Sequence, residues 1–93
     1  MRSKAERQHE VAPILFKLKE LHLAPTTYPS IKLLYQQLQV YIQTGERIDL
    51  NIPFPEYNVN IKGVLTNNKA DRVWVKLESI KTPANNTANN TAG

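Results

Sequence analysis

The hydrophobic period changes once along this chain, at Gly45, and that change limits the fold more than any other feature. Before Gly45 the apolar residues recur at helical spacing: Ile14, Leu15, Leu18 and Leu21, then Ile31, Leu34, Tyr35, Leu38, Tyr41 and Ile42. After it they alternate. Ile48, Leu50 and Ile52 are interleaved with Arg47, Asp49 and Asn51, and Val59, Ile61, Gly63 and Leu65 with Asn60, Lys62 and Val64. Val73, Val75 and Leu77 follow, interleaved with Arg72, Trp74, Lys76 and Glu78. The helical period buries one stripe of a helix, and strict alternation buries one face of a strand. The order is therefore helix, helix, strand, strand, strand. Clean alternation describes an antiparallel sheet that packs on one face and meets water on the other. The fold class expected is α+β: two N-terminal helices packed on one face of a three-stranded antiparallel sheet.

Residues 1–80 carry this pattern as one small α+β domain, and 81–93 fall outside it. In that tail Ala84-Asn85-Asn86-Thr87 is repeated as Ala88-Asn89-Asn90-Thr91. It has no large apolar side chain to offset the entropy of ordering, so a disordered tail is expected. Asn85 and Asn89 each begin an Asn-x-Thr sequon, a pattern that matters only in the secretory pathway.

Local signals refine the elements. Ser3 and Glu6 have capping-box spacing, so a helix begins near Lys4. Pro13 leaves two possibilities, a first helix that ends near Val11 or a kinked one that continues. Pro25 and Pro29 interrupt the helical pattern. Ser30 is the expected N-cap of the second helix, and Gly45 its C′ residue. Asn67-Asn68-Lys69 marks the last turn. A three-residue turn there sets Ile61 opposite Val75 and Trp74 opposite Lys62. The neighbouring register opposes Lys62 to Lys76 and is disfavoured for that reason.

Composition removes many functions. The 93 residues include 12 Lys and Arg against 8 Asp and Glu, for a formal charge of +4. Without cysteine there is no disulfide framework, thiolate metal site or Cys nucleophile. No apolar run is long enough to span a membrane, and the charged stretch from Met1 to Arg7 is unlike a signal peptide. An intracellular location is expected. His9 and His22 stand in no triad or metal-ligand spacing, and His9 with Glu6 and Glu10 reads as a solvated helix face. Asp49 and Glu78 share the open side of the sheet with Arg47, Lys62, Arg72 and Lys76, as surface ion pairs do. Phosphate-binding glycine motifs are missing. No enzymatic activity, cofactor, metal or small-molecule substrate is expected.

The open sheet face carries the functional expectation. Trp74, the single tryptophan, alternates outward between Arg72 and Lys76, with Lys62 and Arg47 on neighbouring strands. An exposed tryptophan flanked by arginine has the composition of a protein-interface hot spot. The same set suits a sheet that stacks bases and neutralises phosphates. A purely structural reading covers the ring with lysine stems. In Pro53-Phe54-Pro55-Glu56-Tyr57 the prolines fix an extended link, and Phe54 and Tyr57 are candidate docking aromatics; Phe54 equally suits sealing the end of the core. Arg2, Lys4 and Arg7, with Lys17 and Lys19, would extend a basic surface, opposed by Glu6, Glu10 and Glu20. Gln36, Gln37, Gln39 and Gln43 invite comparison with a winged-helix recognition helix. Against it stand two helices where that fold needs three, and Lys32 as the helix's single cation.

The function expected is a non-catalytic protein-binding or assembly module working through Trp74, Arg72, Lys76, Lys62, Arg47, Phe54 and Tyr57. On composition alone a small subunit of a larger particle, a virus-encoded one included, fits as well. The alternative is a small basic RNA- or single-stranded-DNA-binding protein using the same face.

Overall fold

The computed structural model describes residues 1–80, and the tail expected at 81–93 lies outside them. Helix α1 (Lys4–Glu20) starts at the capping box: the Ser3 hydroxyl accepts from the Glu6 N–H while the Glu6 carboxylate accepts from the Ser3 N–H. It runs unbroken through Pro13. Pro13 lacks the N–H that would bond the His9 carbonyl, and both residues lie on the exposed side of the helix. Helix α2 (Pro29–Thr44) begins differently from expectation. Pro29 occupies the first turn, where no N–H is required, and Tyr28 stands at the N-cap without a side-chain bond. The Ser30 hydroxyl instead donates to the Pro53 carbonyl at 2.6 Å, tying the helix start to the sheet. Gly45 ends α2 at φ 72°, a left-handed conformation that costs glycine little.

Strands β1 (Ile48–Phe54), β2 (Val59–Leu65) and β3 (Trp74–Val75) form an antiparallel sheet in the order β1-β2-β3. A single 3-10 turn, Pro55–Tyr57, joins the first two. The inward set of β1 is Leu50, Ile52 and Phe54, which continues the alternation across Pro53. It meets Ile31, Leu34, Leu38, Tyr41 and Ile42 of α2, Val11, Ile14 and Leu18 of α1, and Ile61 and Leu65 of β2 in one cluster. Each large apolar side chain buried there stabilises the fold by about 1.5–3 kcal/mol.

The register between β2 and β3 is the one the sequence disfavoured. Gly63 lies opposite Val75 and Val64 opposite Trp74, so Lys62 and Lys76 stand across from each other, joined by a backbone bond from the Lys76 N–H to the Lys62 carbonyl. Both lysines are exposed, where water and salt screen their repulsion. The connection is a long loop rather than a three-residue turn, and its shape is set from outside. The Arg2 guanidinium donates to the carbonyls of Thr66 (3.0 Å), Asn68 (2.6 Å) and Asp71 (2.7 Å), and its Nε to Glu10 (2.7 Å). Gly63 completes the fit, because a Cβ there would sit 2.5 Å from the Trp74 carbonyl oxygen. Bare backbone lets β3 approach.

Arg7 is buried as well. Its Nε and Nη2 donate to the Ile42 carbonyl at 3.0 and 2.9 Å, one of the carbonyls that the end of α2 leaves unpaired. The basic surface expected from Arg2 and Arg7 is thus corrected: both guanidiniums are spent on backbone carbonyls inside the fold.

Candidate partner-binding face

Alternation along the sheet turns one row of side chains away from the helices. Asp49, Val64 and Trp74 line up across the three strands, and Asn51, Lys62 and Lys76 form the next row. On either side of Trp74 in sequence, Val73 and Val75 pack on the core; the half-buried indole faces the other way. Trp74, Arg72, Lys76 and Arg47 share the rim of one open depression of about 500 Å³, with Val64 at its base. Lys62 flanks it across from Lys76. Five of the seven residues singled out by sequence therefore come together.

The other two lie elsewhere. Phe54 is fully buried, so the docking reading of that side chain is overturned. Its ring meets Tyr28 edge-on at 5.3 Å and Tyr57 at 4.7 Å, sealing the end of the core. Tyr57 is half-buried in the same trio, and its hydroxyl is pushed up to about 12 by the hydrogen bond with the Tyr28 hydroxyl and by burial. Residues 59 and 64 stand at opposite ends of β2, about 17 Å apart along the strand, so this aromatic trio is not part of the Trp74 face.

The charge on the face is mixed. Arg47 is neutralised twice, by Asp49 at 3.2 Å and Asp71 at 3.6 Å. The Glu78 carboxylate accepts from the Leu77 N–H at 3.1 Å, and bonds from the Glu78 and Leu77 backbone hold its carboxyl below the usual range. Lys62, Lys76 and Arg72 are exposed to solvent. Sequence reasoning missed Asp71 as a member of the set, because nothing in its spacing shows that the loop folds back to Arg47.

Two carboxylates of α1 are occupied. Glu6 caps α1 and meets Lys69 at 3.1 Å, and Glu10 holds Arg2, so the two carboxylates nearest His9 in sequence are engaged in structural bonds. Among the described residues no three His, Asp or Glu side chains gather as a metal site requires, and no helix is long and apolar enough to cross a membrane. No family model, curated protein or solved structure matches the chain.

Proposed function

We propose that this protein is a non-catalytic binding or assembly module whose contact surface is the sheet face around Trp74. The observation that carries this reading is the orientation of Trp74. A large aromatic side chain that its own core does not use sits beside a shallow depression rimmed by both signs of charge. Tryptophan and arginine are both enriched among the few residues that carry most of the binding energy in protein interfaces. Mixed charge favours a protein partner over a phosphate backbone: Asp49 and Asp71 pair with Arg47, and Glu78 lies beside the exposed Lys62, Arg72 and Lys76, so a polyanion would meet carboxylates on the same face.

A photo-reactive side chain at Arg72 or Lys76, with one at exposed Leu33 on α2 as the control, tests this in cells that make the protein. Protein adducts from the sheet positions and few from Leu33 are expected. Equal adducts from both sides, or adducts to nucleic acid alone, contradict the reading. A labelled oligonucleotide titrated across a salt series gives the independent check, with no binding expected at low salt.

A further inference from the structure

We infer that one partner of this face is a second copy of the chain, paired edge to edge through β3. The inference deepens the reading above and rests on it. β3 closes one side of the sheet, and its hydrogen-bonding groups alternate in direction. The Lys76 N–H donates to Lys62 at 2.8 Å, so Lys76 and Trp74 address β2 while the N–H and C=O of Val73 and Val75 point outward. Beside that edge runs a groove of about 590 Å³ between α1 and β3, with Pro13 and Ile14 in one wall, Val73, Val75 and Leu77 in the other, and charged side chains of both signs around them. A strand edge that is unpaired among the described residues, next to a groove with apolar walls, is a template for another strand.

Self-complementarity identifies the strand. A two-fold axis through Val75 places Val75 opposite its own copy, using its outward groups, and Val73 opposite Leu77 of the second copy, whose carbonyl also accepts from the Ile80 N–H of its own chain at 3.0 Å. The same axis places Arg72 opposite Glu78 and Trp74 opposite Lys76, a salt bridge and a cation–π contact, each made twice. Moving the axis to Trp74 opposes Arg72 to Lys76, and moving it to Lys76 opposes that lysine to itself. Of the three registers, only the one centred on Val75 pairs unlike charges. On the helix side it fills the groove with valine and leucine from both copies. In the single chain the Glu78 carboxylate covers the Leu77 N–H, blunting the outer end of the edge. Pairing releases Glu78 to Arg72 of the second copy, and two sheets become one of six strands.

Sedimentation equilibrium on the full chain tests the inference. A species of twice the 10.6 kDa chain mass is expected to grow with concentration. Val75→Pro removes an N–H that only the pairing uses, and is expected to give a monomer with an unchanged far-UV spectrum. Arg72→Glu is expected to weaken association about tenfold or more, and Arg72→Glu combined with Glu78→Arg to restore it. If Val75→Pro unfolds the chain, the charge swap decides alone. A monomer at about 1 mM chain, or a dimer indifferent to the charge swap, overturns the inference. Either of those outcomes, together with adducts from position 72 to some other protein, leaves the face reading standing. Adducts spread evenly between positions 72 and 33 remove that reading itself.

Discussion

Arg2 holds Asn68 from 66 residues away in sequence: its Nη1 donates to the Asn68 carbonyl at 2.6 Å, inside a fan of bonds that fixes the loop between β2 and β3. That loop delivers β3 to the sheet, and β3 carries Trp74. A buried cation at one end of the chain thus sets the position of the proposed contact residue at the other.

Replacing Arg2 by alanine leaves the Thr66, Asn68 and Asp71 carbonyls without this donor and frees Glu10. A loss of about 3 kcal/mol or more in urea unfolding is expected. Arg2→Lys recovers only part of it, because an ammonium lacks the planar fork that serves three acceptors at once.

Leu38 is fully buried in the cluster that joins α2 to the sheet. Leu38→Ala is expected to cost about 2–5 kcal/mol in the same measurement, the range for a leucine whose cavity cannot collapse. A loss below about 1 kcal/mol would mean that α2 does not cover the sheet.

Gly63→Ala tests the close approach of β3. The added methyl meets the Trp74 carbonyl and the Val75 backbone, so β3 must move outward. About 1–3 kcal/mol of destabilisation is expected from such overpacking. A drop in amide-exchange protection confined to Trp74, Lys76 and their neighbours on β2 would locate it.

Glu6 gives the fold a defined pH dependence. Its bond from the Ser3 N–H, with help from Lys69, lowers its carboxyl from 4.5 to about 2. As pH falls below 4.5 the unfolded chain takes up this proton first, so the contribution of Glu6 is complete above that value and fades as pH drops toward 2. Melting temperature followed from pH 5 downward should fall less steeply in Glu6→Gln than in the wild-type chain.

The sequence was informative where period alone decides and silent where a single long side chain does. The switch at Gly45 located both helices and all three strands, because apolar spacing reports directly on which side of each element is buried. Phe54 was also legible: it extends the alternation of Leu50 and Ile52 by one more step, and only the prolines around it hid that. Arg7 sits at helical spacing from Val11, Ile14 and Leu18, so its position on the buried face was written in the chain, although its charge argued for solvent. Arg2 left no such signal. Its partners are carbonyls, which every residue has, and no pattern of side chains marks them. The β2–β3 register was missed for the same reason, since the loop that sets it is shaped by Arg2 rather than by its own Asn67-Asn68-Lys69 residues.

The central claim is that Trp74 serves association rather than folding. Its most direct test is Trp74→Ala followed on one sample by urea unfolding and by the cross-linking yield from a photo-reactive group at position 72. Stability within about 1 kcal/mol of wild type is expected, because the ring is only partly buried, together with a fall in adduct yield matching an affinity loss of roughly 30-fold. A stability loss as large as that of Leu38→Ala, with the adduct yield unchanged, would make Trp74 a core residue and contradict the account.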